Sequence, residues 1–298
     1  MNTKSLIISQ DLCGVGQVSM SVALPLAAGL GLTPYVLPTA LLSSHTGGLG
    51  ANTYLDLSAE MPGILKHWQQ LQLQPDGIYL GYLGQKAAGQ WDRWLPKFHA
   101  PLVLIDPVMA DNGKLYKGFD AAYVATMQQL AHRATVLTPN ITEAQLLLDE
   151  KPTTLTDPSA VTALAKRLHA QFDSAVLITG VPFHKQIAVV GIDASGTTLA
   201  LAQPKETGHY FGTGDLFAAA LATGLLKGQN LRQAAATGMV AARLAIKATL
   251  ATDADPKYGL NLAGVIPALS KQLPQTATYR ALLSIFWRRL RCKHPIIR

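Results

Sequence analysis

The feature that most restricts how this chain can fold is a repeated alternation of short β-rich runs with longer stretches of helical periodicity. Strand candidates fall at residues 5–9, 34–38, 77–80, 102–106, 135–138 and 175–179; between them, 17–30, 57–72, 86–99, 119–132, 140–149 and 157–171 carry apolar residues at helical spacing. Strands separated by a helix pair in parallel, and a parallel sheet is covered by helices on both faces. After Thr179 the pattern changes. Residues 186–192 and 197–202, separated by Asp193-Ala194-Ser195-Gly196, read as a β-hairpin at one edge of the sheet, and helices follow. The expected class is α/β: a three-layer α/β/α sandwich with a mostly parallel central sheet and an edge β-hairpin.

No repeat, low-complexity segment or linker divides the chain, so residues 1–279 read as one domain followed by a basic tail, 280–298. The net charge of +7 is concentrated in that tail. Arg280, Arg288, Arg289, Arg291, Lys293 and Arg298 lie there without an acid, which leaves the body almost neutral and removes the argument for a nucleic-acid partner. The tail reads as a terminal helix with one packed and one solvated face. No uninterrupted apolar run is long enough to span a bilayer, and the N-terminus has no signal-peptide pattern, so a cytoplasmic protein with no membrane partner is expected. Cys13 and Cys292 have no metal-ligand spacing and read as thiols.

Residues 210–220, Tyr-Phe-Gly-Thr-Gly-Asp-Leu-Phe-Ala-Ala-Ala, join a glycine-rich turn, one carboxylate and the start of an apolar helix. Gly212 and Gly214 allow a tight turn and close approach to a ligand, and the free N–H groups of the helix start attract anions. Asp215 would repel a phosphate there. It fits instead a base that takes a proton from an incoming hydroxyl, as phosphoryl transfer to an alcohol requires; the plainer alternative is an acid that stabilises the helix dipole.

Open parallel sheets bind ligands beyond the carboxyl ends of their strands, and Ser9, Tyr82, Asp106, Asn140, Thr179 and Gly180 all fall at or just past a predicted strand end. Further segments join Gly-Thr-Gly-Asp: Ile105-Asp106-Pro107-Val108-Met109, Leu137-Thr138-Pro139-Asn140-Ile141-Thr142-Glu143 and Val176-Leu177-Ile178-Thr179-Gly180. With Ile8-Ser9, Gly14-Val15-Gly16, Ser43-Ser44-His45-Thr46-Gly47 and Gly81-Tyr82-Leu83-Gly84, the chain resembles the ribokinase-like superfamily from about residue 5 to 250. Within it, the vitamin-kinase branch and its pyridoxal kinases match best.

The resemblance implies ATP- and Mg²⁺-dependent phosphorylation of the 5′-hydroxymethyl group of pyridoxal, pyridoxine and pyridoxamine by a homodimer. Asp215 would be the general base, with Gly212, Thr213 and Gly214 forming an anion hole. Asp106, Asn140 and Glu143 would serve Mg²⁺, in part through water, and Thr138, Thr179 and Gly180 would line the nucleotide phosphates. Ser9 would bond the pyridine nitrogen, Thr46 would lie near the ring hydroxyl, Tyr82 over the ring, and Val15 as an apolar wall. Each has a plainer alternative. Asn140 and Glu143 have the spacing of a helix capping box, the threonines suit strands, Ser9 could cap, Thr46 could sit in a surface loop, Tyr82 could be core, and His45 reads as structural. Residues 110–118 match a lid over the site and equally suit a surface turn.

Two departures concern the pocket: Leu42 stands where an aromatic is frequent, and Gln10 where a histidine is common. The nearest rival is hydroxymethylpyrimidine kinase, which usually carries cysteine in place of Asp215. A sugar kinase lacks support because the Gly-Gly-Asn-rich stretch is missing. A non-catalytic binder of the same fold would not need Asp215.

Overall fold

The computed structural model describes residues 3–253 and 255–273; the basic run 280–298 and Cys292 lie outside the described residues. In chain order the first half comprises β1 (Ser5–Cys13), α1 (Met20–Gly29), β2 (Thr33–Leu42), β3 (Tyr54–Asp56), α2 (Met61–Gln70), β4 (Gly77–Leu80), α3 (Gln85–Trp94), β5 (Leu102–Ile105), β6 (Ala110–Asp111), β7 (Lys114–Leu115) and α4 (Ala121–Ala131). The second comprises β8 (Val136–Leu137), α5 (Ile141–Leu147), α6 (Pro158–Phe172), β9 (Ala175–Phe183), β10 (Gln186–Ile192), β11 (Thr198–Pro204), α7 (Thr213–Leu226), α8 (Leu231–Ala251) and α9 (Val265–Gln272).

Nine strands form one sheet in the order β11-β10-β9-β8-β5-β4-β1-β2-β3. The six from β9 to β2 are parallel, as the helical crossovers require. The β10–β11 hairpin closes one edge antiparallel, as expected. At the other edge β3 pairs antiparallel with β2, an unexpected addition. From β1 the chain crosses to β2 on one side and later returns to β4 on the other. This reversal opens a crevice beyond the carboxyl ends of β1 and β4.

Strand alternation divides the apolar residues between two cores. Ile7, Ile78 and Ile105 face one helix layer, built from α2, α3, α4, α5 and α6. Leu6, Ile8, Tyr79 and Leu104 face the other, built from α1, α7, α8 and α9. The three-layer sandwich follows directly. In α7 every residue from Leu216 to Gly224 is buried, because this helix lies between the sheet and α8. Each of its fully buried leucines contributes roughly 1.5–3 kcal/mol, which fixes the helix start that carries Asp215. α8 is the one described helix long and apolar enough to cross a membrane. Its buried face packs on α7, and Arg243 pairs with Glu206 at 2.9 Å, so it serves as a core helix here.

The extension of β1 and β9 beyond their expected ends corrects the positions read for three residues. β1 continues to Cys13, so Ser9 lies inside the strand, although its pairing with β4 stops at Ser9–Leu80. β9 continues to Phe183, so Thr179 and Gly180 sit within the strand, where the register against β10 shifts between Ala188 and Val190. Gly180 has φ +67°, and the two residues form a bulge opposite Val189.

Candidate active site

The Gly-Thr-Gly-Asp turn leads into α7 with Gly212 at the N-cap and φ +86°. A Cβ there would come within 2.7 Å of the Gln17 carbonyl, so the β1–α1 connection passes directly over the turn and only glycine fits. The first helical bond runs from Leu216 N–H to Gly212. The N–H groups of Thr213, Gly214 and Asp215 therefore have no backbone acceptor, and Gly214 is exposed. Asp215 Oδ2 accepts a 2.8 Å bond from Ser19 N–H. Ser19 adopts φ 47° and ψ −126°, a conformation that costs a non-glycine residue on the order of 1–3 kcal/mol. Burial raises the Asp215 pKa to about 6; the Ser19 N–H opposes the rise and the Asp11 carboxylate adds to it. The group is thus ionised near pH 7 but close to its titration point, as a general base requires.

Asp106, one residue past β5, adjoins this turn: a Cβ on Gly214 would lie 3.9 Å from its Oδ2. It is 7% exposed, and its pKa is driven far up by burial and then by the charges of Glu143 and Asp215. The Thr138 hydroxyl lies near enough to oppose that rise, but it meets no hydrogen-bond geometry and remains a buried group without a partner.

Asn140 and Glu143 form the capping box of α5: Asn140 Oδ1 accepts from Glu143 N–H at 3.0 Å, and Glu143 Oε2 accepts from Asn140 N–H at 2.9 Å. Glu143 Oε1 also accepts from Met109 N–H at 3.1 Å, and Asn140 Nδ2 donates to the Ala110 carbonyl at 2.7 Å. The pair therefore clasps the start of the β6–β7 hairpin. This hairpin occupies the segment read as a lid or turn, and Gly113 N–H ties it to Thr142 Oγ1 at 3.0 Å. Burial outweighs the donated bonds and lifts the Glu143 pKa to about 8.

Of the three residues expected to serve a magnesium ion, Asp106 and Glu143 bring hard oxygens close together with Asp215 beside Asp106, whereas Asn140 Oδ1 is taken up by the α5 cap. Among the described residues no group of three His, Cys, Asp or Glu could hold a metal directly, so the fit is to a cation that keeps much of its water. Thr179 bridges to Asn140 and donates its N–H to the Pro139 carbonyl at 2.9 Å. With Thr138 and the exposed Gly180 bulge, it forms the adjoining wall.

On the opposite side, Ser9 is fully buried and its Oγ accepts from Trp91 Nε1 at 2.8 Å, which leaves its own proton without an acceptor. Tyr82 is half-buried, 5.4 Å from the Phe119 ring, which stacks on Tyr123. Val15 and Thr46 are exposed on two loops joined by the Val15–Ser43 and His45–Val15 backbone bonds. His45 is buried: Nδ1 accepts from Gly47 N–H at 3.1 Å and Nε2 donates to the Lys257 carbonyl at 2.5 Å, so its role there is structural. Leu42 is buried against Cys13, Val18 and Ala40, and Gln10 is fully buried with both amide atoms unpartnered.

Sequence reasoning missed Asp11 and Ser19. Asp11 is a carboxylate inside what proves to be β1, and an acid continuing an apolar strand was the available signal. Nothing in the sequence marks the Ser19 backbone. Two surface hollows lie elsewhere, about 460 Å³ beside Asp56, Lys86 and Arg93 and about 380 Å³ beside His132, Asp149 and Phe172. Neither gathers the carboxylates and free N–H groups described above.

The family model for phosphomethylpyrimidine kinase matches residues 69–258. The pyridoxine/pyridoxal/pyridoxamine kinase of Bordetella avium is 31% identical over 239 residues, covering 74% of this chain and 76% of its own. Pyridoxal kinase from Lactobacillus plantarum superposes with a TM-score of 0.85 at 34% identity, over 90% of this chain and 96% of that one. A Bacteroides thetaiotaomicron protein described as a phosphomethylpyrimidine kinase, in a crystal form with pyridoxal, gives 0.85 at 32% identity, over 92% and 98%. Matched along most of its described length in both sequence and architecture, the chain is a phosphotransferase and belongs to the phosphomethylpyrimidine and pyridoxal kinase family of the ribokinase-like superfamily.

Proposed function

We propose that the chain transfers the γ-phosphoryl group of ATP to the 5′-hydroxymethyl oxygen of pyridoxal, pyridoxine and pyridoxamine. The observation that carries this reading is Asp215, a carboxylate with a pKa of about 6, held by Ser19 N–H beside the unpaired N–H groups of Thr213 and Gly214. With Oδ2 occupied by Ser19, Oδ1 takes the proton as the hydroxymethyl oxygen attacks in line. The free N–H groups stabilise the equatorial oxygens of the moving phosphoryl group. Asp106 and Glu143 would hold Mg²⁺ through its waters, with the ion offsetting phosphate charge. Thr138, Thr179 and Gly180 line the phosphates, Ser9 donates its free proton to the ring nitrogen, Tyr82 covers the ring, and Thr46 and Val15 border it. Residues 110–118 close over the site.

The pyridoxine/pyridoxal/pyridoxamine kinase activity of the Bordetella avium relative and the crystal form of the Bacteroides protein with pyridoxal support this substrate class. The second reading is hydroxymethylpyrimidine kinase, favoured by the matching family model. A coupled ADP-release assay with pyridoxal, pyridoxine, pyridoxamine and hydroxymethylpyrimidine decides between them. Turnover of the vitamers at higher kcat/KM is the expected result; faster hydroxymethylpyrimidine turnover selects the rival, and no turnover leaves a binding protein. The homodimer and cytoplasmic location belong to the same proposal.

A further inference from the structure

Ser19 stands between two carboxylates and takes a backbone conformation that serine ordinarily avoids. It is 7% exposed and immediately precedes α1, with φ 47° and ψ −126°. Those angles belong to the first central residue of a type II′ turn, a position that glycine dominates, and Ser21 N–H closes the turn on the Val18 carbonyl at 3.0 Å. A serine before a helix usually turns its hydroxyl onto the N–H groups of the first turn, but here no such bond forms. The side chain lies toward the Asp11 carboxylate instead, while the Ser19 N–H donates to Asp215 Oδ2 at 2.8 Å. Asp11 is a fixed anchor: it belongs to β1, its N–H donates to the Tyr82 carbonyl at 3.1 Å, and its Oδ2 accepts from Cys13 Sγ at 3.1 Å. The same connection is pressed onto the start of α7, since a Cβ on Gly212 would lie 3.3 Å from Val18 Cα.

A strained residue persists only where the surrounding contacts over-determine it. At Ser19 those contacts are one acid for the side chain and another for the N–H, and the Ser19 carbonyl also accepts from the Val22 and Ala23 N–H groups at 3.0 Å. Resting on the proposed transfer with Asp215 as base, we infer that Ser19 is a positioning residue. Its side chain, anchored on Asp11, holds a glycine-type backbone in which the N–H occupies Asp215 Oδ2 and leaves Oδ1 to the substrate hydroxyl. Glycine would take these angles without strain but could also leave them, and alanine would bear the strain with no anchor. Serine has both the anchor and the aimed N–H, so the identity of the residue matters although its backbone makes the contact.

The test is Ser19→Ala beside Ser19→Gly, by steady-state kinetics with pyridoxal and ATP and by thermal denaturation of the unliganded protein. Alanine keeps the strain and loses the anchor, so the turn relaxes and the N–H leaves Asp215. Its kcat should fall about 10- to 100-fold while both KM values stay within about threefold. Glycine can hold the turn unaided, so Ser19→Gly should turn over at least about fivefold faster than Ser19→Ala. It should also unfold at the higher temperature, the reverse of the usual ranking of these two residues. Glycine no better than alanine in either readout overturns the inference, as does a loss carried by KM, which marks a substrate contact. Should Ser19→Ala fail to fold, Asp11→Ala takes its place. Removing the anchor should lower kcat about tenfold in the unaltered chain and less than about threefold in Ser19→Gly, and equal losses in both backgrounds refute the anchor. If the unaltered chain phosphorylates no vitamer, or Asp215→Asn keeps its kcat, the parent reading fails. If Asp215→Asn is inactive while Ser19→Ala is unimpaired, Ser19 alone is rejected.

Discussion

Replacing Asp215 with asparagine should make the protein more stable and nearly inactive, with both effects arising from one buried charge. The carboxyl pKa rises from the ordinary 3.8 to about 6. At about 1.4 kcal/mol per unit this is about 3 kcal/mol against the ionised form. Asp215 is only half-buried, and solvent screening trims the figure to about 1–3 kcal/mol. A raised pKa in the folded state gives stability that is present below 3.8 and lost as the pH climbs through about 6. Asparagine never ionises and can still accept the Ser19 N–H bond, so its advantage should grow over that same interval. Thermal denaturation at pH 7.5 should show a gain of roughly 2 to 8 °C, shrinking to about a fifth or less at pH 4. In the ADP-release assay kcat should fall about 10²- to 10⁴-fold, as for a lost general base. A gain that does not vary with pH would refute the charge argument, and an unchanged kcat would remove Asp215 from the chemistry.

Ser9→Ala should raise the KM for the vitamin more than that for ATP. It also strands the buried Trp91 Nε1–H, with a stability loss of about 1–3 kcal/mol in denaturant titration. Adding Trp91→Phe should recover stability without recovering vitamin affinity; recovery of both would make Ser9 a purely structural partner. Glu143→Gln should raise the Mg²⁺ concentration for half-maximal rate about tenfold, as outer-sphere partners do, while the vitamin KM stays within about twofold. An unaltered magnesium titration would confine Glu143 to capping α5.

The sheet was legible because its strands obey simple patterns: alternating or continuous apolar runs bounded by turns. Gln186–Ile192 and Gly77–Leu80 occur as read. What escaped did so for identifiable physical reasons. β1 appeared to end at Ser9 because Gln10 and Asp11 are polar, yet both are buried, and buried polar groups break the correlation that sequence reading relies on. β6 and β7 have two residues each, too few for any periodicity, and their place is set by Asn140 and Glu143 some thirty positions later. The Ser9–Trp91 bond spans 82 residues and has no local signature. Asn140-x-x-Glu143 was legible as a capping box, and the capping bonds are present.

The turn at Gly212–Asp215 left two readings open, and their electrostatics have opposite signs. An acid placed at a helix start to complement the dipole is held in its charged form, so its pKa falls. Asp157, the N-cap of α6, behaves this way: exposed, it accepts from the Ser159 N–H and hydroxyl, and its pKa is lowered. Asp215 occupies the first turn of α7 and shifts upward, because burial and Asp11 together outweigh the helix start and the Ser19 bond. A dipole partner would gain nothing from such surroundings. Keeping this carboxylate costs stability when it ionises, and Ser19 adopts a strained backbone to aim its N–H at it. Strained backbone and unfavourably buried charge tend to cluster at functional sites, where a substrate supplies the missing partner. By that criterion the surroundings of Asp215 accord with the proposed base, and Asp11, more deeply buried and with one carboxylate oxygen unpartnered, adjoins it through Ser19.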